Sequence, residues 1–517
     1  MIARNEIKNL LEKSVKNLYD KEIEVRIDRP AEPVFGDYTS NIAMVLKKNP
    51  QEIADSIQSD ILERIEVKNG FINFFLSKEY LQKQVEEVLK KKDKFGELKV
   101  GKGKKIDIEC ICANPTGELH IGHGRGAFLG ETLTNVFKKS GFKVFRSHYA
   151  NDAKNSSQIK ELGKTALGQG TIYLNEYLEK KINKLKSEIS QCKNERDAGS
   201  LLAQEVQKDI KDFIENKLKI GFDFWVSEEN DLYKKGKINK MYDWLKKKNL
   251  VYEKDGAQWL KTSSYGDSKD WVIVRESGEF TYLLPDIAYH KDRFDRKYDK
   301  IINIWGADHQ GHVNKIKAVS KILDYKGELV FLITQVVRLK GEKMSKRKGK
   351  VVTLAWLMNE VGLDAVRFIY LMKSSDTQME FDMELAKDQS EKNPVFYVQY
   401  AHARICSILR KLKIENLKLK PVTKNLKLLT HPSESGLIKQ LIKFSEIIED
   451  TVNDYQVQRI PQYALDLAAS FHQFYHDCRV ISEDVPLSEV RLGLVLATKI
   501  ILKNTLSLMG VSAPEKM

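Results

Sequence analysis

The sequence predicts a multidomain α/β protein with a parallel-sheet core, an α+β domain before it and an all-helical bundle after it. Three observations carry this. A strand–helix–strand pattern runs from Lys105 to Ser147, the signature of a parallel βαβ unit. The first hundred residues mix short strand and helix signals. From about Leu354 onward almost every segment reads as helix. The length of 517 residues leaves room for about three or four domains of ~150 residues. The core is therefore read as Rossmann-like, open and doubly wound.

In chain order, Ile7, Leu10, Leu11, Val15 and Leu18 recur at helical spacing, and Ile23 to Ile27 alternates like a strand. Asn49-Pro50 opens a second helix, which the spacing of Ile53, Ile57, Ile61 and Ile65 extends. Gly70 to Leu76 reads as a buried strand, followed by a helix from about Glu79 to Lys92. The polar, glycine-punctuated stretch Lys91–Lys105 ends a first domain, residues 1–100.

A second domain is expected over 101–353. Lys105 to Ile111 is a strand, Gly122 to Ser140 a helix closed by Gly141, and Phe142 to Ser147 the next strand. Residues 155–245 are charged and read as a helical insertion riding on the sheet. Strand signals return at Trp271–Val274 and Ile301–Trp305. The helical third domain covers 354–517.

Composition narrows the function classes. An apolar fraction of 42% excludes a disordered chain, and 11 Pro with 29 Gly excludes collagen-like and low-complexity classes. Five Cys argue against a disulfide scaffold and for a reducing cytoplasm. There is no apolar run of ~18 residues for a membrane span and no secretory leader pattern at Met1. The 86 Lys+Arg against 72 Asp+Glu suit an anionic partner such as nucleic acid, or a solvated Lys-rich surface.

The sharpest segment is Ala113-Asn-Pro-Thr-Gly-Glu-Leu-His-Ile-Gly-His-Gly-Arg125. It places His120, Gly122 and His123 where a helix begins, beside free backbone N–H groups and at the carboxyl edge of the sheet. That is a phosphate-facing position, and Gly122 would admit a flat base close to the backbone. There is no Gly-x-x-x-x-Gly-Lys-Ser/Thr loop, and Phe128 and Leu129 break a dinucleotide fingerprint. The second segment, Leu339-Lys-Gly-Glu-Lys-Met-Ser-Lys-Arg-Lys-Gly349, is a basic loop. Lys343 and Lys346 are compact cations suited to a departing pyrophosphate. His309 and His312 lack a third ligand nearby in sequence, so no resident metal is expected.

His120-Ile-Gly-His123 and Lys343-Met-Ser-Lys346 match the two signatures of class I aminoacyl-tRNA synthetases letter for letter. The surrounding chain resembles arginyl-tRNA synthetases, through Glu109, Asn114-Pro115, Tyr282-Leu-Leu-Pro-Asp-Ile-Ala288 and Gly306-Ala-Asp-His-Gln-Gly-His312. The resemblance implies ATP-dependent attachment of L-arginine to tRNA(Arg) through arginyl adenylate, with AMP and pyrophosphate released. It implies His120, His123, Lys343 and Lys346 as catalytic groups. ATP would lie on His120, Gly122, His123, Lys343, Met344, Ser345 and Lys346, with Mg²⁺ carried by its phosphates. Glu109, Tyr282, Asp286 and Gln310 would surround the guanidinium, with Asn114 at the α-amino or carboxylate end. Paired carboxylates suit a planar guanidinium in a way that lysine does not match. Lys346 is present, so the chain resembles the family members with a complete loop. Activation of arginine would also depend on bound tRNA.

Outside the core, Pro33 to Ala43 and Gly70-Phe-Ile-Asn73 resemble the family's amino-terminal extension, which touches the tRNA corner; Phe71 and Asn73 are its candidate contacts. Asp364-Ala-Val-Arg367 opens a region resembling the anticodon-binding domain. Tyr397, Tyr400 and Arg404 share one helical face there, and Tyr475 and Met517 match further positions. The expected protein is a cytoplasmic monomer. Synthetases for glutamate, glutamine or cysteine, and a non-catalytic RNA-binding paralogue, are the rival readings.

Overall fold

The computed structural model describes residues 2–341, 352–414, 419, 421 and 425–517. The chain divides into two compact units, one of residues 99–389 with 456–458, the other of residues 1–98, 390–455 and 459–517.

The first unit is built on a five-stranded parallel sheet. Its strands are β1 (Lys105–Glu109), β2 (Lys143–Ala150), β3 (Phe224–Ser227), β4 (Lys300–Gly306) and β5 (Glu328–Thr334), in the order β5-β4-β1-β2-β3. Helix α1 (Ile121–Lys139) connects β1 to β2, α2 (Leu283–Phe294) precedes β4, and α3 (Val313–Ile322) connects β4 to β5. The strand order reverses between β1 and β4, so their carboxyl ends open a crevice where such sheets bind ligands. The Rossmann-like core is as expected. β4 is mostly apolar, Ile301-Ile-Asn-Ile-Trp305, because a central parallel strand is covered on both faces; the one polar residue of that run, Asn303, accepts from Arg293.

The insertion differs from its expected form. It carries two helices, Ser157–Ala166 and Glu195–Asp212, that cross at Gly163 and Gly199. A Cβ on Gly199 would lie 1.9 Å from the Ile159 carbonyl oxygen, so no larger residue fits. The insertion then adds β3 to the sheet edge, followed by a π-helical turn, Glu228–Tyr233. Its charge density hid a short aromatic strand. Trp271–Val274 is a strand but belongs to a separate antiparallel meander with Val251–Lys254 and Ala257–Leu260.

In the second unit, Phe71–Leu76 is the centre of a three-stranded antiparallel sheet between Tyr38–Ser40 and Leu62–Lys68. Two expectations fail here. Ile23–Ile27 is not a strand. The second helix stops at Asp55, and Ile65 lies on the Leu62–Lys68 strand. The reason is Asn69-Gly70, both at positive φ (51° and 81°), which forms the tight turn of a hairpin and overrides an i, i+4 run of isoleucines. Helix Lys78–Lys91 packs against Pro432–Asp454 and Val485–Leu508, so the amino-terminal chain supplies a member of the helical bundle. Glu446 on Pro432–Asp454 is buried and pairs with Arg29 at 2.9 Å while accepting from the Tyr38 hydroxyl.

Candidate active site

His120 caps α1. Its Nδ1 accepts from the Gly122 N–H at 3.0 Å, and its own N–H donates to His123 Nδ1 at 3.0 Å. The rings stack with centroids 3.7 Å apart. Burial lowers the His120 ring, and burial followed by the His120 ring holds His123 down at about 3. Both rings are neutral near neutrality, and with each Nδ1 accepting, each proton sits on Nε2. The pair therefore presents two N–H donors. A Cβ on Gly122 would lie 2.8 Å from the His120 ring, so the glycine is needed for the histidine to fold over the helix start. The space first read as room for a base is taken by that ring.

Lys343, Met344, Ser345 and Lys346 lie outside the described residues. The chain on either side of them is tied to α1. Beyond them, the Ile121 N–H donates to Val352 O at 3.1 Å and the Leu354 N–H to Leu119 O at 2.8 Å. Before them, Val337–Leu339 pairs in parallel with Met379–Phe381. The turn leading to Met379 is gripped by Arg125 of α1, which donates to the Ser374, Ser375 and Thr377 carbonyls at 2.5, 3.2 and 2.8 Å.

The carboxylates follow a different arrangement. Asp286, in the first turn of α2, has no ion-pair partner among the described residues. Burial first, then Glu228 and Glu109, hold its carboxyl well above the usual range, with Lys315 acting the other way. Glu228, at the end of β3, is pushed up to about 7 by burial, although the Tyr149 hydroxyl donates to it at 2.8 Å. Glu109 is differently placed. Its Oε2 takes a 2.7 Å hydrogen bond from Arg293 Nη1, and its Oε1 accepts from Trp305 Nε1 and Cys112 Sγ, both at 3.1 Å. The acceptors expected to face a substrate are filled from inside the protein.

Tyr282 stands 51% exposed, with its hydroxyl accepting from Lys315 Nζ at 2.9 Å. Asn114 is exposed in the loop after β1, and Gln310 is exposed in the turn after β4. Asp152 is absorbed locally, accepting from Ser227 Oγ at 2.7 Å and the Glu229 N–H at 3.0 Å.

In the other unit, Tyr397, Tyr400 and Arg404 of Pro394–Ile414 meet Tyr475 of Arg459–Asp477. Arg404 donates to the Tyr400 hydroxyl at 2.7 Å and lies 5.4 Å from the Tyr475 ring centroid. His472, not singled out from the sequence, joins them 5.0 Å from Tyr397, and burial with Arg404 lowers it to about 4. Met517 is exposed, on a tail held by His402 Nδ1 at 2.8 Å from Pro514 O. Phe71 is 39% exposed, whereas Asn73 is buried in the central strand at 3%.

Comparison with known proteins agrees along nearly the whole length. The profile of the class I tRNA synthetase (R) catalytic domain matches residues 84–159 and 169–405, more than half of the chain. The chain belongs to the arginyl-tRNA synthetase family. The family's amino-terminal domain matches residues 5–76, and the DALR anticodon binding domain matches 398–517. The arginine–tRNA ligase of Bacillus subtilis is 40% identical, over 95% of this chain and 94% of its own. Arginine–tRNA ligase 1 of Halalkalibacterium halodurans is 41% identical, over 96% and 94%. The arginyl-tRNA synthetase of Thermus thermophilus superposes with a TM-score of 0.78 over 100% of both chains, at 21% identity, and so shares the fold.

For an arginyl-tRNA synthetase the residues missed from sequence are informative. Glu228, Tyr149 and Arg293 come from three separate elements. The signal for Glu228 was Phe222-Asp-Phe-Trp-Val-Ser-Glu-Glu229, an aromatic strand ending in carboxylates inside an otherwise Lys-rich insertion, and Tyr149 lies in His148-Tyr-Ala-Asn-Asp152, which resembles a further family motif.

Proposed function

We propose that Glu228 and Asp286 receive the side chain of arginine, in a protein that attaches arginine to tRNA at the expense of ATP. The observation that carries this is the pair itself: two carboxyls raised by burial, with no ion pair among the described residues. Glu228 is buried and Asp286 partly so, and such carboxylates are costly without a bonded cation unless a ligand supplies one; a planar guanidinium can bridge two of them. Lysine offers a single point charge and would leave acceptors unpaired. Tyr282 beside the pocket closes its outer side, and Asn114 and Gln310, on loops at the crevice, hold the polar end of the amino acid.

ATP is placed along the start of α1. The Nε2–H groups of His120 and His123 donate to its phosphates, and Lys343 and Lys346 supply positive charge to the departing pyrophosphate. The arginine carboxylate attacks the α-phosphorus in line, giving arginyl adenylate and pyrophosphate. The adenylate then esterifies the terminal adenosine of tRNA, releasing AMP. Neutral histidines suit a role as donors rather than acids, so positioning and electrostatics do the work. Mg²⁺ arrives on the ATP phosphates as part of the substrate.

Tyr397, Tyr400, Arg404 and Tyr475, with Met517 on its tail, form a face on which splayed anticodon bases stack; Phe71 adds a stacking surface in the amino-terminal region. Asn73 would reach a nucleotide only through its backbone. The proposed arginine- and ATP-binding residues all come from one chain, which supports a monomer. All five cysteines are free, which suits a reducing cytoplasm. No described helix is long and apolar enough to cross a membrane. The test is arginine-dependent ATP–pyrophosphate exchange with tRNA supplied. Asp286→Asn should lose most of its kcat/KM for arginine; an unchanged value would sink the assignment.

A further inference from the structure

A second charge cluster lies where β1 and β4 meet α2. Arg293, in the last turn of α2, is completely buried. Its Nε donates to Asp107 Oδ2 at 2.6 Å, and its Nη1 to Glu109 Oε2 at 2.7 Å and Asn303 Oδ1 at 2.6 Å. Asp107 is also bonded by Ser147 Oγ at 2.8 Å. Arg293 thus holds β1 and β4 at the point where the sheet order reverses, and it carries the one side-chain cation bonded to either carboxylate among the described residues.

We propose that Arg293 is a positioning residue for arginine recognition: from α2 it neutralises Glu109, so that ionising Glu228 and Asp286 as they take the substrate guanidinium costs less. The proposal rests on the reading of those two carboxylates given above. Two negative charges and one positive leave the cluster at a net −1. Without Arg293 it would stand at −2 beside Asp286, whose carboxyl already feels Glu109. Ionising Asp286 would then cost more, and a protonated carboxyl does not bind a guanidinium.

The other groups around the pair are accounted for. From β2, Tyr149 donates to Glu228, His148 is neutral near pH 7, held at about 4 by burial, and Asp152 adds negative charge toward Glu228, as does its neighbour Glu229. From α2, His290 is lowered to about 4 by burial and Arg293, and the Tyr289 hydroxyl is held protonated by burial. Cys112, after β1, is likewise held protonated by burial. Lys315 of α3 is the remaining cation acting on Asp286, and it is already bonded to Tyr282. With Arg293 in place, His148 and His290 are neutral near pH 7, so neither supplies the positive charge that Arg293 gives to Glu109.

The test is the pH dependence of kcat/KM for arginine in tRNA-supplied pyrophosphate exchange, from about pH 6 to about pH 9. Arg293→Met should move the acid limb up by about one pH unit, which is about a tenfold loss on that limb, with KM for ATP unchanged. The double variant Arg293→Met/Glu109→Gln restores the net −1 and should bring the limb back toward wild type. A role in packing alone predicts no such return. A folded Arg293→Met with the wild-type limb, or a double variant no better than the single, overturns the proposal. If Arg293→Met does not fold, Arg293→Lys keeps the charge and should keep the limb while losing thermal stability; a shifted limb in that variant overturns it too. Failure of the underlying reading shows separately, as Asp286→Asn with a normal KM for arginine.

Discussion

Tyr149 and Glu228 are joined by a 2.8 Å hydrogen bond from the phenol to the carboxylate, linking neighbouring strands of the sheet. The bond favours the ionised form of a carboxyl that burial otherwise raises to about 7. Tyr149→Phe removes it without changing the ring, so Glu228 should rise by about one further pH unit. KM for arginine should increase near pH 7 and recover at about pH 9, as measured by pyrophosphate exchange. A KM that stays raised at high pH would point to lost packing instead.

The wild-type enzyme should show the same chemistry. On the proposed reading Glu228 takes the guanidinium in its ionised form, and burial pushes its carboxyl up to about 7. As pH falls below that value, kcat/KM for arginine should drop about tenfold per unit, and above it level off. His120 and His123 do not contribute to this limb, since burial keeps His120 lowered and His123 at about 3.

Removing one carboxylate leaves the guanidinium and the remaining acid mismatched. Glu228→Gln and Asp286→Asn should each reduce kcat/KM for arginine by roughly a hundredfold to a thousandfold, with KM for ATP close to wild type. Equal losses in both substrates would indicate misfolding rather than a specific contact.

Gly122→Ala places a methyl group 2.8 Å from the His120 ring. The ring must swing away, breaking its cap on α1 and its alignment with His123. The expected result is a fall in kcat of about a hundredfold, with the melting temperature nearly unchanged. A large thermal loss with normal kcat would contradict it.

In the other unit, Glu446→Gln weakens the buried contact with Arg29 and Tyr38. A loss of about 2–3 kcal/mol in urea unfolding is expected. Arg404→Ala should raise KM for tRNA while leaving KM for arginine unchanged, because Arg404 contacts Tyr400 and lies near Tyr475, the proposed anticodon-stacking residues.

Much of this was legible in the sequence because the signals are local. The start of α1, with His120 and His123 three apart, is a helix-terminus pattern that needs no distant partner to read. β1, β2 and β4 are short segments rich in β-branched and aromatic residues and bounded by turns, so their existence is a local signal. Asn69-Gly70 shows the limit even at short range: a two-residue turn outweighed four isoleucines at helical spacing.

By itself, the sequence determined the fold class, the two signature segments and Asp286 as a substrate carboxylate candidate. Only the tertiary structure showed which of the carboxylates has an ion-pair partner among the described residues. Glu109 and Asp286 are equivalent as letters, but Arg293 lies 184 positions from Glu109 and fills it, while Glu228 arrives on an edge strand from the charged insertion. The physical reason is that ionisation and hydrogen-bond saturation belong to neighbours in space, and a parallel sheet draws those neighbours from widely separated parts of the chain.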